Sequence, residues 1–140
     1  MEKPKVKLNS LLKHFSYEKI NSEDKSFKNV QGVYRPGLEL VGFNDYMEYH
    51  KGIILGSKEI TFISKQDEEK RKDCYEFLTN ENIPFILITN GLECPNELKE
   101  ICLKKNVLLL SSKKDSLEVI GELSQYMYEK LANRKMIHGT

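Results

Sequence analysis

Two continuous apolar runs, Pro84 to Thr89 and Val107 to Leu110, constrain this 140-residue chain more than any other feature. They bracket a helical segment that Pro95 opens and Asn106 ends. A strand with one face in water alternates apolar and polar residues, so an unbroken apolar run marks a strand covered on both faces. A helix between two such strands is the pattern of a βαβ crossover with parallel strands. The two runs are therefore predicted to form the centre of a sheet in an α/β domain.

Around that centre, Val6 to Leu8 reads as a short strand, followed by a brief helix capped by Asn9 or Ser10, with Leu11, Leu12 and Phe15 on its apolar side. Tyr17 to Ile20 is expected to be extended, Asn21 to Lys28 a loop, and Val30 to Tyr34 a strand. Tyr46 to Lys51 reads as a helical turn and Gly52 to Leu55 as a short buried strand. Gly56 and Ser57 then start a helix through about Ser64, with Ser57 as cap and Ile60 and Ile63 inward. Asp67 to Asn80 is a helix with acids at its positive end and a stripe of Arg71, Cys74, Tyr75 and Leu78. A last helix, Asp115 to Ala132, has a capping-box pattern in Asp115 and Glu118. It is expected to place Leu117, Ile120, Leu123, Met127 and Leu131 along one side. The expected architecture is α/β, a mixed, mainly parallel sheet flanked by helices.

Bulk properties narrow the function. With 22 basic and 21 acidic residues the formal net charge is +1, so no global field recommends a nucleic acid or an anionic membrane as partner. No apolar run approaches membrane-spanning length and the first residues lack the apolar core of a leader, which makes a cytoplasmic chain the expectation. Cys74, Cys94 and Cys102 lack the paired short spacings of a zinc site and read as reduced, mostly buried thiols. His14, His50 and His138 have no ligand partners at metal-site spacing, so no metal is expected.

The stretch from Arg35 to Tyr46 fits neither a helix nor a strand. Pro36 fixes its own φ and biases Arg35 toward extended geometry, while Gly37 and Gly42 permit positive φ, so an ordered loop is expected at a strand's carboxyl end. Ligands of parallel sheets favour the crevice beyond those ends, where Thr89, Asn90, Gly91 and Glu93 also fall. Arg35, Gly37, Glu39, Gly42, Asp45, Tyr46, Thr89, Asn90, Gly91 and Glu93 are thus the candidate ligand or interface residues. Arg35, Asp45, Asn90 and Glu93 are expected around a small groove, with Thr89 and the amides near Gly91 free for hydrogen bonding. Two readings stay open: ligand binding, or an Arg35 that pairs with Glu39, Asp45 or Glu93 only to hold the loops. No nucleophile with a base can be assembled, and no G-x-x-x-x-G-K-[ST] phosphate loop occurs, so catalysis by this chain is not expected.

Arg35 to Tyr46, then Ile54-Leu55-Gly56, then Thr89-Asn90-Gly91-Leu92-Glu93 with Pro95, and finally Ile137-His138-Gly139, resemble in that order the amino-terminal domain of bacterial HPr kinase/phosphorylase, from about Val6 to the last residue. The resemblance implies a unit similar in fold to the amino-terminal domain of Mur ligases, spanning residues 1–132. Residues 133–140 would be a linker to an absent carboxy-terminal P-loop domain. It also implies a parent enzyme that phosphorylates a serine of HPr with ATP or pyrophosphate and magnesium, reverses the modification, controls carbon catabolite repression and assembles as a hexamer. His138 matches a family active-site histidine whose role needs that second domain. For the chain itself, the expectation is a noncatalytic regulatory or interaction domain without a cofactor, contacting the catalytic domain. A sensor of an anionic metabolite or nucleotide is the alternative.

Overall fold

The computed structural model describes residues 5–21, 28–36, 50–79 and 83–139, with side chains as far as Lys130. The described residues form strands β1 (Val6–Lys7), β2 (Glu18–Lys19), β3 (Asn29–Val30), β4 (Gly32–Tyr34), β5 (Lys51–Leu55), β6 (Phe85–Ile88) and β7 (Leu108–Ser111) and five helices. The helices are α1 (Leu8–His14), α2 (Ser57–Ser64), α3 (Glu68–Leu78), α4 (Asn96–Lys105) and α5 (Ser116–Gly139). Five strands form one sheet in the order β2-β7-β6-β5-β4. β4, β5, β6 and β7 run parallel, and only β2 is antiparallel, against β7. β1 and β3 form a separate antiparallel pair.

The apolar runs explain why three layers form. Within β5, β6 and β7, Ile53, Leu55, Ile86, Ile88 and Leu109 meet Ile63, Cys74, Tyr75, Leu78, Leu98 and Cys102 of α2, α3 and α4. Their neighbours Ile54, Phe85, Leu87, Leu108 and Leu110 meet Leu8 and Leu11 of α1 and Val119, Leu123, Tyr126 and Met127 of α5. Each fully buried Leu, Ile or Phe contributes about 1.5–3 kcal/mol relative to exposure, so β6, apolar on both faces at the middle of the sheet, anchors the whole. Gly52 is required by this packing: a Cβ there would lie 2.1 Å from the Phe85 ring.

Several boundaries differ from expectation. Leu8 enters α1 directly, so the first strand stops at Lys7, which is also the N-cap, and Asn9 and Ser10 lie inside the helix. The Leu8 amide finds its partner across the chain, at the Lys28 carbonyl, 2.8 Å away, and Lys7 makes no side-chain cap bond. The strand predicted over Val30 to Tyr34 divides at Gln31 because its two halves serve different sheets. Lys51 opens β5 rather than ending a helical turn, whose residues 46–49 lie outside the described ones. Gly56, not Ser57, is the N-cap of α2. Asp67, expected as the first residue of a helix, is instead the N-cap of α3, accepting from the Lys70 amide at 2.9 Å, and Asp115 accepts from the Glu118 amide at 2.8 Å at the start of α5. α5 is helical to Gly139 rather than Ala132. Its buried side is Val119, Leu123, Tyr126 and Met127, while Leu117 is 79% exposed; the Leu131 side chain lies outside the described set.

Candidate functional site

Four parallel strands end on one edge of the sheet, followed there by Arg35, Gly56, Thr89 and Ser112. This carboxyl edge is the expected location, but its parts are joined differently. β5 lies between the strands that precede Arg35 and Thr89, so the two loops meet across the β5–α2 turn rather than side by side.

That turn supplies the groups that hold the edge together. The Arg35 guanidinium donates from Nη2 to Glu59 Oε2 and Oε1 at 2.9 and 3.1 Å and from Nε to Oε1 at 3.3 Å. Glu59 is only 7% exposed and also accepts the Gly56 amide at 2.6 Å. It thereby satisfies a helix-start donor while Arg35 balances its charge. One position further into the sheet, the hydroxyls of Thr89 and Ser116 share a hydrogen bond of 2.6 Å, both buried. The Thr89 amide donates to the Leu55 carbonyl at 3.1 Å. Gly56 packs against this pair so closely that a Cβ would fall 2.3 Å from Ser116 Oγ.

Asn90 and Gly91 both take left-handed φ, 62° and 64°, in a turn closed by the Leu92 amide on the Thr89 carbonyl at 3.2 Å. Asn-Gly suits such a turn because both residues tolerate that region. The amides expected to be free are engaged: Asn90 donates to the Lys114 carbonyl at 2.8 Å and Gly91 to the Ser112 carbonyl at 2.9 Å. These bonds tie the β6–α4 turn to the segment between β7 and α5.

Above the cluster lies a groove of about 300 Å³ lined by Arg35, Ser57, Lys58, Asn90, Asp115, Ser116 and Leu117. It brings together two of the expected residues, Arg35 and Asn90. Thr89 is buried beneath it, and Glu93 is exposed and not part of its lining. Gly37, Glu39, Gly42, Asp45 and Tyr46 lie outside the described residues, as does the side chain of His138. Among described residues Arg35 is paired with Glu59, which sequence reasoning missed together with Gly56 and Ser116. The signal available was the Gly56-Ser57-Lys58-Glu59 order, a glutamate three residues after a helix cap.

Chemically the cluster is self-satisfied. Its two buried hydroxyls bond each other and its buried carboxylate is neutralised by a guanidinium, so neither pair, among the described residues, sets a base beside a nucleophile. Among the described residues no group of three His, Cys, Asp or Glu side chains could hold a metal ion, and no described helix is long and apolar enough to cross a membrane. The three cysteines are buried thiols, none of them in a disulfide.

Fold and site together define a three-layer α/β domain in which the described loops at the sheet's carboxyl edge are tied together by hydrogen bonds and one ion pair. By sequence the chain belongs to the family described as HPr serine kinase N terminus, whose family model matches residues 6–127. It is 32% identical over 137 residues to an HPr kinase/phosphorylase of Enterococcus faecalis, covering 96% of this chain and 44% of that protein. It is 33% identical over 110 residues to one of Lactobacillus acidophilus, covering 79% and 34%. The chain thus spans less than half the length of these relatives. A solved structure with a similar fold is the CBS and DRTGG domains of the regulatory region of a Clostridium perfringens pyrophosphatase, crystallised with its activator diadenosine tetraphosphate. The match has a TM-score of 0.55 and 17% identity over 84% of this chain and 45% of that one.

Proposed function

We propose that this chain acts as a noncatalytic regulatory or interaction domain of an HPr kinase/phosphorylase. In this reading a P-loop domain follows residues 133–140 and carries the reaction, phosphorylating and dephosphorylating a serine of HPr with ATP or pyrophosphate and magnesium. The family match supports the parent, and relatives more than twice as long leave room for such a domain. One observation carries the noncatalytic role: among the described residues of the carboxyl edge, Arg35 is spent on Glu59, Thr89 on Ser116, and the Asn90 and Gly91 amides on the Lys114 and Ser112 carbonyls. The same bonds weigh against the alternative, a sensor for an anionic metabolite, because they occupy the Arg35 guanidinium and the Asn90 and Gly91 amides, the donors expected to bind it. HPr, the catalytic domain and further subunits of a hexamer are the partners this role implies, in the cytoplasm.

The test uses the full-length enzyme. Arg35→Ala and Ser57→Ala variants are expected to change regulation or assembly while phosphoryl transfer to HPr persists at near wild-type rates under saturating substrates. Loss of transfer itself in both variants, with folding intact, would place the edge in the chemistry. In parallel, amide-observed titrations of the isolated chain with ATP, fructose bisphosphate and uridine nucleotides should leave the edge unshifted; saturable shifts there would restore the sensor reading.

A further inference from the structure

Asn90-Gly91 is the only Asn-Gly pair of the sequence, and both residues are exposed in the β6–α4 turn. An asparagine before glycine is open to attack by its own backbone, because glycine has no side chain to shield the amide nitrogen. The surroundings do not shield it either: among the described residues a Cβ on Gly91 would meet only Lys113, 3.8 Å from its Cγ and 3.9 Å from its Cα. The Asn90 side chain is held by two long bonds, from Nδ2 to Thr89 Oγ1 at 3.3 Å and to Ser57 Oγ at 3.5 Å. The main chain is held better. The Gly91 amide donates to the Ser112 carbonyl at 2.9 Å and the Asn90 amide to the Lys114 carbonyl at 2.8 Å. Ser112 Oγ accepts the Lys114 amide at 3.2 Å, which steadies the segment carrying both acceptors. A Gly91 nitrogen whose proton is bonded is no nucleophile, so the turn has to open before it can react.

We propose that Asn90 is a self-modification site, converted to aspartate and isoaspartate through a succinimide each time the turn releases the Gly91 amide. The Gly91 nitrogen gives its proton to base and attacks Asn90 Cγ; the Cγ–Nδ2 bond breaks and ammonia leaves with a proton. Water then opens the ring at either carbonyl, and nothing is oxidised or reduced. Attack at Cγ restores the original main chain and leaves aspartate. Attack at the Asn90 main-chain carbonyl leaves isoaspartate, with the chain routed through Cβ and Cγ. Aspartate puts a carboxylate where a neutral amide stood, in the groove shared with Arg35, Lys58 and Asp115. Isoaspartate lengthens the backbone by one carbon inside a turn held by two hydrogen bonds, so the β6–α4 turn comes away from the segment between β7 and α5. It also presents a free α-carboxylate, the group that an isoaspartyl methyltransferase esterifies. The two backbone bonds therefore act as a gate on a one-way change that loosens the carboxyl edge. This chemistry stands apart from the role proposed for that edge and holds whether or not that role does.

The test incubates the chain in mildly alkaline buffer, folded and in unfolding urea. Peptide mapping by mass spectrometry follows the exchange of NH2 for OH at Asn90, and an isoaspartyl methyltransferase titrates the isoaspartate formed. The folded chain should convert roughly tenfold to a hundredfold more slowly than the unfolded one, the range set by breaking the two turn bonds. Ser112→Ala should speed conversion several-fold in the folded chain and leave the rate in urea unchanged. Hydrogen exchange of the wild-type Gly91 amide provides a check that needs no variant: urea below the unfolding transition should raise exchange and conversion by the same factor. Equal rates folded and unfolded overturn the gate, as does Gly91 exchange that rises in urea while conversion does not. No conversion in the folded chain after about a hundred half-lives of the unfolded one overturns the site itself.

Discussion

At the scale of single residues, Gly56 and Glu59 decide how tightly the carboxyl edge closes. The 2.3 Å approach to Ser116 Oγ leaves no space for a methyl group, so Gly56→Ala should cost roughly 1–3 kcal/mol, the usual penalty for overpacking. Ser116→Ala alone should cost about 1 kcal/mol for its lost bond to Thr89. Because the serine hydroxyl is the atom in the way, the double variant should cost less than the sum, and a double-mutant cycle in urea would measure that coupling. Strict additivity would mean that the clash is relieved elsewhere. Arg35→Ala strands a Glu59 carboxylate that is 7% exposed. The expected loss is about 2 kcal/mol, below that of a fully buried pair because the Arg35 side chain keeps 30% of its surface in water. Adding Glu59→Gln should recover much of it; urea unfolding that shows no recovery would assign the loss to Arg35 packing instead.

Single elements show what was readable in advance. β6, α4 and β7 followed from apolar runs and their Pro and Asn punctuation, because each signal is local. Asn106 ends α4 in the left-handed region at φ 60°. Asn106→Gly should therefore stabilise the chain by a few tenths of a kcal/mol up to about 1, and Asn106→Val should destabilise it by about 1–2, as thermal melts would report. α5 was readable in outline: Leu123 and Met127 are buried and Ile120 packs against them as expected, whereas Leu117 turns outward. Leu117 belongs to the same apolar spacing as Leu123 and Met127, yet it lines the groove beyond the strand ends, where no sheet lies beneath it. Val119 and Tyr126 join Leu123 and Met127 on the buried side. The ion pair of the site was illegible for a related reason. Arg35 and Glu59 are 24 residues apart, and only the order of β4 and β5 in the sheet brings them together. The Asn90-Gly91 turn was legible as a turn, but its amides could not be known to be occupied without the residues following β7.

For the whole molecule, burial of proton-bearing groups between the sheet and α3 and α4 couples folding to alkaline pH. Burial pushes the Cys102 thiol up to about 12, with Cys94 adding to the shift and Lys105 opposing it. Burial likewise takes Cys94 to about 11 and, joined by the charge of Glu97, Tyr75 to about 12. In each case the folded state holds its proton more tightly than the unfolded chain does. The stabilisation this gives is whole well below the unfolded thiol value of 9.0, where unfolded thiols also stay protonated, and is lost as pH rises from there through the folded values of about 11 and about 12. Denaturation free energies taken between pH 8 and 12 should fall by up to about 1.4 kcal/mol per pH unit for each proton involved. Cys102→Ala should flatten that slope even though it lowers stability at pH 8. The same burial keeps the thiolate fraction minute at neutral pH, so reaction of the three cysteines with an aromatic disulfide should be paced by unfolding and should accelerate in step with urea. Rapid labelling of Cys102 in the native chain at pH 8 would show that α4 opens locally, and the alkaline slope would then measure that opening rather than the core.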